Sequence, residues 1–332
     1  MTAEKMTLVT GATGLVGFNI VEELLEANRP VRVLVRSAEK ARALLSERVD
    51  IVEGDLTRPD SLSVAFDRVD RVFHAAGIPE QWLRDKTQFH KVNVDGTQAI
   101  IEAALDAGVT RLVYTSTIDV FEAASGQAYN ESVIDTAPKG TVYERSKQEA
   151  DRLVVAAITD HDLPAVFVHP AAVYGPGPTD SPSLNDLAIK LSKDQAPLLL
   201  PGGMPLVYSK DVGKGHLLAE EKGAIGERFI LSDAYYSLVE IASAMLTEIG
   251  REKTPPMMPV WIGKLIANLG EVVASVTGKP PLIPKGQLHF LSWGATPINT
   301  RAREKLGMDF VTLDEGIRET ITRLRHESRI PV

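Results

Sequence analysis

At 332 residues and 44% hydrophobic content, the chain is long enough for one or two domains and apolar enough for a large core. A net charge of −8 argues against a general affinity for nucleic acid. The lack of cysteine excludes disulfides, thiolate catalysis and Cys-based zinc sites and fits a reducing compartment, and no metal site is expected.

The N-terminal MTAEKMTLVTG has no signal-peptide run, because Gly11 and Gly14 interrupt it almost at once. No stretch of about 18 uninterrupted apolar residues occurs, so a soluble, cytoplasmic protein without a transmembrane helix is expected. From Met6 to Glu22 the sequence reads as a short strand (7–9), a turn, and a helix opening near Gly14. The turn spaces Gly11, Gly14 and Gly17 as G-x-x-G-x-x-G. Gly11 permits a sharp reversal, Gly14 lets a pyrophosphate approach the N–H groups of the helix start, and Gly17 lets helix and strand pack closely. A glycine-rich turn without a ligand is the bland alternative, which the strand–turn–helix context disfavours.

The first helix runs to about Ala27. Strands follow at 31–35, 50–53, 71–74, 111–114 and 165–169, with helices over 40–45, 61–66, 92–107 and 143–159 between them. This alternation predicts an α/β chain with a Rossmann-type, doubly wound parallel sheet. After Pro170 the pattern changes, with Gly175-Pro176-Gly177-Pro178, Ser181-Pro182 and Pro201-Gly202-Gly203. Residues 1–170 are expected to form a dinucleotide-binding core, to which the chain returns around 205–232. Residues 171–332 are expected to form mainly a smaller, mostly helical substrate-binding cap. In the helix 260–277 the polar residues Lys264, Asn268, Glu271 and Ser275 make a narrow stripe, so the rest of its circumference needs cover. Burial in the cap is the expected cover. A pocket-lining helix, or one making weak peripheral contact with a membrane surface, is the alternative.

Strand ends are where an open α/β sheet binds its ligand. Arg36 ends the second strand, where an acidic residue would bind the ribose hydroxyls of NAD. An arginine followed by Ser37, Lys40 and Arg42 suits the 2′-phosphate of NADP, so NADP(H) is preferred over NAD(H). Surface charge on a basic loop is the competing reading. Asp55 either accepts a bond from the adenine amino group or caps its own turn.

In YERSK, Tyr143 and Lys147 are four apart and share a helix face. A tyrosine titrates near pH 10 when unperturbed, and a neighbouring ammonium is expected to lower it toward a useful range. Lys147 would also bond the nicotinamide ribose. Thr117 would hold a substrate carbonyl oxygen while Tyr143 delivers the proton and hydride passes from the nicotinamide C4.

These residues resemble the extended branch of the short-chain dehydrogenase/reductase superfamily, also called the NAD-dependent epimerase/dehydratase superfamily. The matching segments are TGATGLVG, GDL (54–56), HAAG (74–77), VNVDGT (92–97), YTST (114–117), YERSK (143–147), HPAAVYGPG (169–177), KDVGKGHLLA (210–219) and NTRAREKLG (299–307). The resemblance implies that Gly11, Thr13, Gly14, Leu15 and Val16 wrap the pyrophosphate. It places Asp55, Leu56, Ala75, Ala76 and Gly77 on the adenosine side and Asn93 in support. Thr115, Pro170, Ala172 and Val173 would meet the nicotinamide end, and Thr117, Tyr143 and Lys147 would be catalytic, with Ser116 in place of Thr117 if the register is one off. His169 stands where the motif usually has arginine. It is read, with His74 and His90, as a satisfied core histidine. The segments VRVLVRS, 259–284 and LSWG (291–294) are most similar to the dihydroflavonol-reductase and 3β-hydroxysteroid-dehydrogenase-like groups.

The expected activity is therefore interconversion of a ketone and a secondary alcohol on a fairly apolar small molecule. A nucleotide-sugar epimerase or dehydratase with retained NAD is the alternative. It would need basic cap groups, for which Lys190, Lys193 and Lys210 are candidates more simply read as solvated charges. A catalytically silent dinucleotide sensor would not need the Tyr–Lys pair. A homodimer through helices 92–107 and 143–159 is also expected.

Overall fold

The structure, a computed structural model, describes residues 5–178 and 184–331; Ser181-Pro182 lies outside the described residues. The first part of the chain alternates as expected: β1 (Met6–Thr10), α1 (Leu15–Glu26), β2 (Val31–Val35), α2 (Ala38–Leu44), β3 (Asp50–Glu53) and β4 (Val69–His74). Next come α3 (Thr87–Phe89), α4 (Gly96–Ala107), β5 (Arg111–Thr115), β6 (Ala128–Tyr129), α5 (Val142–His161), β7 (Ala165–Pro170) and β8 (Ala172–Tyr174). Then follow α6 (Asn185–Ser192), β9 (Gly203–Tyr208), α7 (Ser209–Lys222), β10 (Arg228–Leu231), β11 (Tyr235–Ser237) and α8 (Leu238–Ile249). The chain continues through α9 (Val260–Thr277), α10 (Lys285–Trp293), β12 (Thr296–Pro297) and α11 (Leu313–His326).

The central seven-stranded sheet is parallel and ordered β3-β2-β1-β4-β5-β7-β10. Apart from the edge strand β3, which is partly exposed, its strands are largely buried on both faces. VRVLV of β2 is buried throughout, and the one charge in it, Arg32, is met by Asp50 at 2.7 Å and by the carbonyls of Val64, Ala65 and Asp67. One apolar cluster joins α1 to one sheet face through Ile20, Leu24, Val113 and Val166. A second joins α4 and α5 to the other through Leu8, Val72, Ile100 and Val154. Strand order reverses between β1 and β4, whose ends Thr10 and His74 are register partners, and a crevice opens there at the carboxyl ends.

β10 forms an edge of the central sheet beside β7, and α7 packs on α1, where a Cβ on Gly213 would lie 2.5 Å from the Asn19 carbonyl oxygen. The remaining elements build a smaller body, with a β8-β9-β11 sheet and a cluster of Leu191, Met245, Ile317 and Leu324 joining α6, α8 and α11.

Several expectations need correction. The segment 61–66 is not a helix but a 3₁₀ turn at Pro59–Ser61 followed by further turns. Ser61 Oγ is engaged with the Asp55 N–H and carbonyl and with the Arg58 carbonyl, an alternative to helix formation. The helix expected from about Asn93 begins at Thr87 and includes a widened, π-type stretch at His90–Asp95. His90 is a surface residue between Asp95 (3.2 Å) and Glu149 (3.3 Å), not a core histidine.

α9 is not buried in the cap, and no residue of it lines the cavity described below. It packs through its small residues Gly263, Ala267 and Ala274 with Ile262 and Ile266 partly buried, which leaves Trp261, Leu265, Leu269, Val272, Val273 and Val276 exposed. Among the described residues it is the one helix long and apolar enough, by length and composition, to cross a membrane.

Candidate active site

The loops following β1, β4, β5 and β7 meet around a cavity of about 720 Å³. It is lined by every residue the resemblance assigns to catalysis or cofactor binding except Asn93, and by Arg36 and Lys40, whereas Ser37 and Arg42 do not line it. Gly11 has φ +74°, and a Cβ there would lie 2.7 Å from the Ala76 nitrogen and 2.8 Å from the Ala75 carbonyl oxygen. A Cβ on Gly17 would lie 2.3 Å from the Gly11 carbonyl oxygen, so strand, turn and helix close on one another only with glycine at both positions. α1 opens at Gly14 with no side-chain cap and no acidic residue in its first turn. Its unpaired first-turn N–H groups and positive dipole end suit a phosphate group.

At one end of the cavity, Arg36 and Lys40 follow β2 and Asp55 follows β3. Asp55 Oδ1 accepts from both N–H and Oγ1 of Thr57 at 2.9 Å, so it shapes its own turn. Burial raises its pKa, but the Thr57 bonds with Arg58 and Arg36 nearby hold it below the usual carboxylate range. Arg58, passed over in the sequence, shares with Arg36 an adjoining recess that also contains Glu53. Glu53 accepts from the Ala38 N–H at 3.0 Å, placing a carboxylate at the N-terminus of α2.

The other end holds Thr117, Tyr143 and Lys147. Thr141 caps α5 reciprocally with Glu144, fixing the helix start just before Tyr143. Tyr143 lines the cavity with Thr117, whose side chain opposes the rise of the Tyr143 pKa. Lys147 Nζ donates to the Thr115 carbonyl at 2.8 Å and to the Tyr114 hydroxyl at 3.4 Å, and it lies over the Tyr114 ring. Burial lowers the Lys147 ammonium to about 8, against Asp151 and Asp119.

The expected lowering of Tyr143 by Lys147 is not the dominant effect. Burial first, and then Asp119, push the Tyr143 phenol above its ordinary value. Asp119 is the main group that sequence reasoning missed. It lines the cavity at 8% exposure, accepts the Thr117 hydroxyl proton at 2.9 Å, and returns its own N–H to Thr117 Oγ1 at 3.3 Å. Burial and then Glu144 raise its carboxyl to about 7, while Thr117, Lys139 and Lys147 oppose them. An acidic residue two positions past YTST is the signal that was available.

Behind the cavity wall, Asn93 accepts from the Ile78 N–H (2.8 Å) and donates to Ser146 Oγ (2.9 Å), tying the loop after β4 to α5. Thr115 lines the cavity, with its hydroxyl bonded to His216 Nε2 at 2.9 Å. Ser116 Oγ donates to Asp151 at 2.7 Å, and Arg228 grips Asp151 at 2.7 and 3.0 Å. His169 bridges Arg228 (3.1 Å) and the Thr117 carbonyl (3.0 Å). Burial and Arg228 lower it to about 3, so it stays neutral, donating from Nδ1 and accepting at Nε2. His169 and His74 are therefore core histidines as read. His74 lies between Thr10 (2.7 Å) and Thr97 (3.1 Å).

Residues 7–231 match the NAD dependent epimerase/dehydratase family. The chain is 29% identical to "Putative dihydroflavonol 4-reductase" of Synechocystis sp., over 94% of this chain and 92% of that protein. It is 28% identical to sterol demethylase protein B of Methylococcus capsulatus, over 91% of this chain and 93% of the relative. Among solved structures it is similar to gox2253, at 27% identity and a TM-score of 0.85 over 98% of this chain and 100% of that one.

Proposed function

This chain belongs to the NAD-dependent epimerase/dehydratase family, the extended short-chain dehydrogenases/reductases, and from that premise we propose that it is an NADPH-preferring ketone reductase and alcohol dehydrogenase acting on a fairly apolar small molecule. The observation that carries this reading is the meeting of Thr117, Tyr143 and Lys147 at one end of the cavity that begins at the glycine turn. The relatives named as a dihydroflavonol 4-reductase and a sterol demethylase protein support a ring substrate of low polarity.

The cofactor is assigned to the cavity by its donors. The backbone of Gly11, Thr13, Gly14, Leu15 and Val16 holds the pyrophosphate. Arg36, Lys40 and Arg58 hold the 2′-phosphate, while Asp55, Leu56, Ala75, Ala76 and Gly77 flank the adenosine. Thr115, Pro170, Ala172 and Val173 enclose the nicotinamide end, and Asn93 latches the loop that forms the wall. When bound, the nicotinamide supplies or accepts the hydride. Residues 1–170, with α7 and β10, form the cofactor-binding part; 171–332 otherwise serve mainly the substrate.

In reduction, Tyr143 Oη gives its proton to the carbonyl oxygen, and Lys147 stabilises the phenolate that remains. Thr117 holds the same oxygen when its own proton points into the cavity. Asp119 decides that orientation. Ionised, it draws the Thr117 proton away; protonated, it releases it.

The epimerase or dehydratase reading requires basic cap groups in the cavity. Lys190, Lys193 and Lys210 do not line it, and Lys210 is exposed and paired with Glu319 at 2.9 Å. The test is titration of purified, cofactor-stripped protein with NADPH and NADH, followed by a screen of apolar ketones. Tight, reversible NADPH binding with ketone-dependent oxidation supports the reductase. Protein that retains NAD and turns over nucleotide sugars overturns it.

A further inference from the structure

The outer side of α9 carries Trp261, Leu265, Leu269, Val272 and Val276, spaced by threes and fours, and each is half or more exposed. Leu282, just past the helix, is 83% exposed. A ridge of this kind on a water-soluble surface marks an interaction site. Its charge says what it meets. From residue 251 to 294 the chain has five basic residues, of which Arg251 is paired with Asp194, and two acidic ones, within a protein of net charge −8. Lys264 and Lys279 are exposed beside the ridge, Arg84 lies against Gly278, and Glu271 is already paired with Lys285.

A second copy of this chain fits poorly. Two-fold pairing would bring the same lysines together along the seam, where the one carboxylate of α9, Glu271, is already paired with Lys285. A bilayer with anionic headgroups fits both features: apolar side chains enter the acyl boundary, a tryptophan sits near one helix end, and the lysines meet phosphate. Packing argues against spanning, because Gly263, Ala267 and Ala274 hold the opposite side of α9 to the protein, where Met258, Ile283 and Leu288 form the adjoining core.

We propose that α9 docks the protein reversibly, in the interface plane, on an anionic bilayer surface. α9 packs on α10, whose Phe290 lines the cavity, and Gln81 of the cavity wall abuts Gly286 at the start of α10. Docking therefore holds this side of the cavity beside the lipid, and the substrate is a ketone or alcohol that partitions into it. The substrate clause rests on the reductase reading; the docking clause rests on α9 alone.

The test is flotation of the full chain with vesicles of phosphatidylcholine, alone or with about one-third phosphatidylglycerol. The protein is expected to float with the anionic vesicles and much less with the neutral ones. A Leu265→Ser/Leu269→Ser/Val276→Ser variant should lose about ten-fold or more of the floated fraction while keeping its Tm and NADPH binding. Lys264→Glu/Lys279→Glu should weaken flotation on the anionic vesicles. A chain that stays in solution with both vesicles, or a triple variant that floats as well as wild type, overturns the proposal. So does a dimer that the triple variant converts to monomer, which would make a second copy the occupant. Because flotation is read without substrate, a chain that floats and reduces no ketone counts against the reductase reading and not against docking.

Discussion

Thr117 gives its hydroxyl proton to Asp119, Oγ1 to Oδ2 at 2.9 Å, in a pocket where Asp119 titrates near 7. A group titrating there sets the direction in which Thr117 can donate. Ketone reduction at saturating NADPH is expected to rise as pH falls through about 7, and alcohol oxidation to rise on the alkaline side. Asp119→Asn should remove that step from both profiles. A wild-type reduction rate flat between about pH 6 and about pH 8 would contradict the assignment.

The same carboxyl has a stability consequence. Its folded pKa is raised, so the folded state holds the proton more tightly, and stability from this group is lost as pH rises from about 4 to about 7. Asp119→Asn is expected to raise Tm near pH 8 and to change it less near pH 5, read by thermal melts at both values.

Cofactor choice should turn on Arg36 and Glu53, which face the same recess with opposite charge. Arg36→Ala is expected to weaken NADPH by about ten-fold or more and to leave NADH within a few-fold. Glu53→Gln should strengthen NADPH. Fluorescence titration reads both; an unchanged NADPH-to-NADH ratio in Arg36→Ala would remove the NADP assignment.

Acid should destabilise the fold through its buried histidines. Burial lowers His74 and His169 to about 3 and His216 to about 4, so each stays neutral where the unfolded chain becomes charged. Stability from these groups is present above about pH 6.5 and is lost as pH falls toward about 4, against the opposite contributions of the raised carboxyls of Asp119, Asp211, Glu22 and Glu23. The Asp151 carboxyl, which burial raises but Arg228 holds low overall, adds a further loss at lower pH. Arg228→Met strands the Asp151 charge and is expected to cost about 3–5 kcal/mol. Melts across the pH range and of this variant check both statements.

Gly11 and Gly14 should fail differently. Gly11→Ala forces a Cβ onto the Ala75–Ala76 backbone at a positive φ, so Tm and cofactor binding both fall. At Gly14 the nearest neighbour of a Cβ is 3.3 Å away, so Gly14→Ala should fold and lose mainly cofactor affinity. Equal Tm losses in the two variants would contradict this division.

Much of this layout was readable from residue order. VRVLV announced a strand buried on both faces, and Gly11, Gly14 and Gly17 announced the turn that opens the cavity, because each depends on near-neighbour sterics. The span of α9 was legible for the same reason, yet its exposure was not. The pattern that separates small from large apolar residues says which sides differ, and only the partner says which side is covered. Ser61 shows local competition, since its hydroxyl takes backbone groups that a helix needs. Tyr114 escaped notice because its role depends on α5 packing against the end of β5, through Lys147, 33 residues away, whereas Asp119 lies two residues from Thr117 and only its burial was hidden.

The most direct test of the catalytic account is Tyr143→Phe, which removes one hydroxyl. Ketone-dependent NADPH oxidation and NADPH affinity should be measured side by side in this variant and in wild type. The account predicts unchanged affinity with kcat lower by about 100-fold or more. A variant that binds NADPH normally and keeps most of its turnover would show that the proton comes from elsewhere.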